Sequence, residues 1–135
     1  MYKRQGVSDA KGTDDFVLVR LDPNGAIDLS FGKEGKVVLN LGGTETLYAL
    51  SLQSNGYMLA AGVSDAKGTD DFVLVRFDPN GAIDLPFGKD GVVILDLGGD
   101  DAIHALSLQS DGKVVVMGDS DANGTDDVAL VRHHP

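Results

Sequence analysis

Residues 119–127, DSDANGTDD, have the spacing of the first half of a calcium-binding loop. Oxygen-bearing side chains occupy alternate positions and Gly124 follows them, as in the pattern D-x-D-x-[DN]-G. In such a loop the alternate oxygens surround a hard cation, and glycine permits the sharp bend of the backbone. We therefore predict that this segment binds Ca²⁺. The predicted ligands are Asp119, Asp121, Asn123, Thr125 (through its carbonyl) and Asp127.

The calcium pattern is incomplete, which leaves a second interpretation open. Its twelfth place is Leu130 rather than Glu, so a bidentate ligand must come from elsewhere. In two related loops Val7 and Val63 replace the first Asp, and Lys11 and Lys67 replace the Asn. Those loops must form without calcium. The third loop is therefore also consistent with an ordinary turn, in which short polar side chains bond to their own backbone.

His104, in the segment GGDDAIHALSL, is the second candidate for chemistry. A histidine beside carboxylates can act as a general base on a metal-bound water. The predicted catalytic residues are His104 as the base, with Asp100 or Asp101 holding the imidazole or the metal. The alternative is a strand histidine that fills the space of Tyr48, its counterpart in the preceding copy.

The composition excludes several classes of function. The chain has 135 residues, 21 acidic against 11 basic, and a net charge of −10, so we expect cationic partners and no nucleic acid. There is no cysteine, which excludes disulfides and thiolate metal sites. No apolar run has the length of a membrane span, and no signal-peptide core is visible. The compartment stays unknown.

A long repeat must position these residues. GVSDAKGTDDFVLVR occurs at residues 6 and 62, and GDSDANGTDDVALVR occurs at residue 118. Residues 6–61 and 62–117 are identical at 39 of 56 positions. Each period contains four short strand patterns, predicted at 48–54, 57–64, 71–78 and 92–97, with the hairpin signal Asn-Gly between the first two. Four antiparallel strands in a repeat of this length are typical of a β-propeller blade.

One stretch resembles the bacterial delta-60 repeat: DPNGAIDLSFGKEGKVVLNLGGTETLYALSLQSNGYMLAAGVSDAKGTDDFVLVRFDPNG. The shared features are Pro-x-Gly-x-x-Asp-x-x-Phe-Gly, a Gly-Gly acidic loop, Ala-Leu-x-x-Gln and Asp-Phe-x-Leu-x-Arg. The resemblance implies propeller-like β structure, often in large bacterial surface proteins, and it implies no particular chemistry. The chain departs from the family in its shortness and in having YKRQG where a later copy has MLAAG.

The predicted architecture is all-β, with one repeat domain over residues 1–135. It comprises a partial blade at 1–41, a full blade at 42–97 and a partial blade at 98–132. Partial rings expose open blade faces, so we expect a homodimer that closes one ring of about six blades.

A meander places alternate loops on the same face of the ring. The loops after each second strand and those before each first strand should therefore form one acidic rim. The predicted rim residues are Asp9, Asp14, Asp15, Glu45, Asp65, Asp70, Asp71, Asp100, Asp101, Asp119, Asp121, Asp126 and Asp127. With His104 nearby, the sequence-based hypothesis is a calcium-dependent hydrolase of lactones or esters, by fold analogy. The alternative is a non-enzymatic propeller that binds calcium or a small-molecule ligand.

Overall fold

The computed structural model describes residues 6–8, 14–122, 124–125 and 127–133, with only the backbone described for residues 6–8. The described residues form ten β-strands and no helix. This part of the chain therefore contains no helix that could span a membrane. The strands are β1 (Gly6–Ser8), β2 (Asp15–Val19), β3 (Lys36–Leu39), β4 (Glu45–Leu52), β5 (Met58–Ser64), β6 (Asp71–Phe77), β7 (Val92–Leu95), β8 (Asp101–Leu108), β9 (Val114–Ser120) and β10 (Asp127–His133).

The strands form three antiparallel sheets, in which each strand pairs with the next along the chain. We call β1–β3 the first blade, β4–β7 the middle blade and β8–β10 the last blade. The predicted four-stranded meander is confirmed in the middle blade. Its first strand begins earlier than the sequence pattern indicates, at Glu45 rather than Tyr48, because Glu45 pairs with Ser64 on β5.

The middle blade is covered on both faces, and this explains its composition. Every residue of β5 is buried, and so is every residue of β6 except Arg76. Met58 and Ala60 belong to the hydrophobic cluster shared with the first blade. Leu59 and Ala61 belong to the cluster shared with the last blade. A strand buried on both faces reads as a continuous apolar run, as β5 does.

Neighbouring blades are held at close distance by a phenylalanine that meets a glycine. A Cβ at Gly62 would lie 2.9 Å from the ring of Phe16, and a Cβ at Gly118 would lie 2.6 Å from the ring of Phe72. Real Cβ contacts are longer than this, so only glycine lets the rings approach. The repeated Gly and Phe of the GVSDAKGTDDF segment are therefore contacts between blades.

A second contact between blades comes from the loop before the last strand of the first and middle blades, that is, before β3 and β7. Phe31 and Phe87 lie in these loops and are fully buried, as loop anchors should be. Arg20 lies over the Phe31 ring at 4.8 Å, bonds Asp28 at 2.8 Å and donates to the carbonyl of Pro79 on the middle blade at 2.7 Å.

Arg76 repeats this arrangement within the middle blade. Its guanidinium lies 4.7 Å from the centre of the Phe87 ring and 2.5 Å from Asp84. The arginines at the ends of β2 and β6 are thus ion-pair partners with a structural role.

Candidate functional site

The acidic loops meet on one face because carboxylates cap the neighbouring loop. The backbone N–H of Thr44 donates to Oδ1 of Asp65 at 2.6 Å. In the last blade the N–H of Asp100 donates to Oδ1 of Asp121 at 2.7 Å. The loop after the second strand and the loop before the first strand are therefore joined in both blades, which is the convergence that the meander predicts.

The same face also carries bonds between blades. The N–H of Glu45 donates to the carbonyl of Asp14 at 2.7 Å, and the N–H of Asp101 donates to the carbonyl of Asp70 at 2.6 Å. In addition, the N–H of Asp70 donates to Oδ1 of Asp100 at 3.3 Å. These bonds fix the loop positions, so the carboxylates are held close together by the backbone.

A cavity of about 270 Å³ opens on this face between the middle and last blades. Its walls carry five carboxylate side chains. The lining residues are Asp70, Asp100, Asp101, Ala102, Asp119 and Asp121. Among the residues that the structure describes, no lysine or arginine belongs to this lining. A concave site lined by one sign of charge concentrates ions of the opposite sign.

Burial and neighbouring negative charges raise the pKa of two carboxylates on this face. Burial raises the pKa of Asp70, and the nearby charges of Asp100 and Asp65 raise it further. Burial also raises the pKa of Asp71, with a further contribution from the charge of Asp96. A raised pKa means that the folded protein disfavours the charged form, so a cation at this face relieves an existing repulsion.

Two rim carboxylates are buried and only partly satisfied. Asp101 is 2% exposed; its Oδ2 accepts from the N–H of Leu97 at 3.1 Å, while its Oδ1 has no hydrogen-bond partner in the described part of the chain. Glu45 occupies the same place in the middle blade. Its Oε1 accepts from Ser64 at 3.0 Å, and its Oε2 is unpartnered among the described residues. An unpaired buried oxygen is costly, and a bound cation or water would satisfy it.

His104 lies at an irregularity of β8. The pairing of β8 with β9 shifts register between Ile103 and Ala105, which makes His104 the extra residue of a β-bulge. Its Nε2 lies 2.5 Å from Oδ2 of Asp119, and both side chains are about half exposed. Bulges re-aim side chains and often lie next to functional sites. Here the bulge brings the histidine to Asp119, a residue of the cavity wall.

The predicted calcium ligands are distributed as follows: Asp119 and Asp121 line the cavity, Thr125 is an exposed loop residue, Asp127 begins β10, and Asn123 lies outside the described residues, as do Asp9 and Asp126. Among the residues that the structure describes, no group of three or more His, Asp or Glu side chains is arranged to hold a metal ion. Asp121 accepts the same kind of backbone hydrogen bond as Asp65, which lies in a loop without calcium spacing. The calcium site therefore stays a prediction.

A family model described as "Domain of unknown function (DUF5122) beta-propeller" matches residues 6–31, 53–87 and 109–135. These segments cover more than half of the chain. The chain belongs to the DUF5122 beta-propeller family. This agrees with the resemblance to a bacterial propeller-type repeat. A search of curated proteins finds no match.

The DUF5122 segments cover two consecutive strands in each blade, together with the loop that joins them: β1 and β2, β5 and β6, and β9 and β10. Asp119 and Asp121 therefore lie within the family pattern, whereas Asp100, Asp101 and His104 lie between two matched segments. The family assignment accounts for the blade and leaves the chemistry of the cavity to be argued from its residues.

The opposite face of this DUF5122 propeller carries a larger recess, which the sequence did not predict. It has a volume of about 480 Å³ and lies between the turns that follow β4 and β8. Gln53 and Gln109 line it, and Oε1 of Gln53 is buried without a partner in the described residues. The signal in the sequence is the glutamine repeated in ALSLQS, which marks the same turn in both blades.

Proposed function

We propose that this protein is a non-enzymatic β-propeller module that binds a cationic ligand in the acidic cavity between its middle and last blades. The observation that carries the proposal is the set of five aspartates around one cavity of about 270 Å³. Backbone hydrogen bonds hold the loops that form it, so the site exists before the ligand arrives. A preformed site avoids the cost of ordering its side chains on binding.

The chemistry of the cavity favours an organic cation with primary ammonium groups. The described carboxylates form no cage for a bare metal ion. An ammonium group donates up to three hydrogen bonds in different directions, and it can therefore bond carboxylates that are too far apart to share one small ion. Asp101 belongs to the lining of this cavity, and its buried Oδ1 has no hydrogen-bond partner among the described residues.

Isothermal titration calorimetry with spermidine tests the proposal, with calcium chloride as a separate arm. The variant Asp70→Asn should raise the spermidine Kd about fivefold, which corresponds to ~1 kcal/mol for one partly screened ion pair. Asp90→Asn is the matched control: it makes the same change in net charge at an exposed site in the loop before β7. The control should bind as the wild type does.

The proposal fails if spermidine does not bind, or if both variants weaken it equally, since the latter would indicate only a general attraction to an acidic protein. Calcium binding without spermidine binding would instead favour the metal site predicted from the sequence. Repeating the titration with Asp121→Ala would then report whether the third loop supplies a ligand.

A second candidate is the hydrolysis of lactones or esters predicted from the sequence. The contact between His104 and Asp119 favours it. A carboxylate that accepts from an imidazole N–H fixes the orientation and the tautomer of the ring, which leaves the other nitrogen free to take a proton from water. His104 and Asp119 are then base and orienting residue, beside a cavity that Asp100 and Asp101 help to form.

A panel of lactone and ester substrates, each with added calcium and with chelator, tests this candidate. Replacement of a general base costs on the order of a hundredfold in rate, so His104→Gln should lower turnover by about that factor. Turnover that survives the substitution would remove the role of His104. Turnover that survives chelation would remove calcium as the cofactor.

A further inference from the structure

The outer face of the last blade is apolar and exposed. Val128 and Leu130 on β10 are 78% and 70% exposed. The residues 56 positions earlier, Phe72 and Leu74 on β6, are completely buried against the last blade. The repeat therefore places on the last blade a surface of the kind that the middle blade buries.

The outer face of the first blade carries the other half of the same contact. Val38 on β3 is 50% exposed, although Ile94, its counterpart on β7, packs against the cluster shared with the first blade. Val17 pairs with Val38 across the sheet and is only partly buried. This face corresponds to the surface by which the middle blade receives the first.

Two equivalent glycines, Gly25 on the first blade and Gly81 on the middle blade, also show that the first blade has an open face where the middle blade has a neighbour. A Cβ at Gly81 would lie 2.8 Å from the ring of Phe31, because the first blade packs there. At Gly25, the equivalent position on the first blade, a Cβ would meet no atom of the described residues within 4 Å. The backbone at Gly25 is thus shaped for a neighbouring blade, and the space beside it is open.

We propose that a second copy of this chain docks head to tail, with the last blade of one chain on the first blade of the other. The junctions between blades inside the chain are the template for the side-chain packing of this contact, although β4 and β8, the strands that make the close backbone approaches at those junctions, have no counterpart in the described part of the first blade. Because the repeats are identical at 39 of 56 positions, another copy supplies a surface of the required shape. The two faces differ from each other, so the contact is heterologous, and two reciprocal contacts close a ring.

Sedimentation velocity on the 135-residue chain at micromolar concentration tests this inference. The wild type should have twice the monomer mass of 14.1 kDa. The double variant Val128→Asp, Leu130→Asp should weaken association by at least about a hundredfold, because charges would enter an apolar contact. Val38→Asp should do the same from the opposite face.

Leu85→Asp is the matched control, since Leu85 is exposed in a loop of the middle blade, which carries neither of the two outer faces. It should remain a dimer. The three substituted residues of the end faces are at least half exposed, so circular dichroism should show folded variants. A folded wild-type monomer would overturn the proposal. A Val38→Asp variant that stays dimeric would also overturn it. Such a dimer would not use the first blade, and would instead form, for example, by contact between the last blades of the two chains.

Discussion

Replacing Asp70 by Asn should stabilise the ligand-free protein and weaken cation binding at the same time. Burial and the charge of Asp100 raise the pKa of Asp70, so its charged form is disfavoured in the folded state. Residue 70 makes two hydrogen bonds through its backbone: its N–H donates to Oδ1 of Asp100, and its carbonyl accepts from the N–H of Asp101. Asparagine keeps both bonds and a similar shape, so the main change is the loss of one negative charge.

The size of the gain follows from Coulomb repulsion at a partly exposed site. As an order of magnitude, any two carboxylates separated by ~7 Å, in a medium with an effective dielectric constant between roughly 40 and 80, repel by ~0.6–1.2 kcal/mol. Salt at physiological strength, with a Debye length of about 8 Å, reduces each term by about half. Two such neighbours give a gain of about 0.5–1 kcal/mol in the free energy of unfolding, or ~2–5 °C in Tm.

The gain in the free energy of unfolding on replacing Asp70 should decrease as the pH falls. Folding raises the pKa of Asp70 above 3.8, so the folded protein takes up this proton first as the pH falls. The repulsion is therefore complete near neutral pH, decreases as the pH falls through the folded pKa, and is absent below 3.8. The pKa of Asp28 shifts in the opposite direction, because a hydrogen bond from Ser30 lowers it. The charged form of Asp28 therefore stabilises the folded protein near neutral pH, and this contribution to the free energy of unfolding is lost as the pH falls below 3.8.

Urea unfolding of the wild type and Asp70→Asn, from about pH 7 to about pH 4, measures this difference. The gain should be largest near neutral pH and should shrink towards pH 4. Asp90→Asn, with the same change in net charge at an exposed site, should leave the free energy of unfolding nearly unchanged. If Asp70→Asn destabilises the protein at neutral pH, or if its effect does not change with pH, then burial and the neighbouring carboxylates do not disfavour the charged form of Asp70 in the folded protein.

Three further predictions concern the packing and the loops. Phe72→Ala should lower the free energy of unfolding by about 3–5 kcal/mol in guanidinium unfolding, because it empties a fully buried site between blades, whereas Leu85→Ala on the surface should have almost no effect. Gly118→Ala should cost about 1–3 kcal/mol or more in the same assay, since its Cβ would lie 2.0 Å from a backbone oxygen. Asp121→Ala should lower the free energy of unfolding by about 1 kcal/mol in thermal unfolding, because the N–H of Asp100 loses its acceptor. Asp121→Asn keeps an acceptor and should retain most of the wild-type stability. Equal losses in both variants would indicate that the charge of Asp121 matters more than this hydrogen bond.

The strand pattern and the blade were available from the sequence because their signals are local. Asn55-Gly56 adopts the hairpin that the dipeptide favours, with Gly56 at a positive φ of 86°. The repeat then fixes the order of strands in all three sheets. The start of β4 was missed because it depends on a distant partner: Glu45 is extended by pairing with Ser64 and by its bond to Asp14 in the first blade.

The acidic face was likewise predicted by the sequence, since a meander alternates its loops between two faces. The properties of individual carboxylates were decided by the tertiary structure. Composition alone does not distinguish Asp100, which is exposed, from Asp101, which is buried with an unpartnered oxygen. The contact of His104 with Asp119 depends on a bulge in β8. Burial, bulges and contacts between blades arise only when segments far apart in the chain pack together, and a local pattern carries no record of that packing.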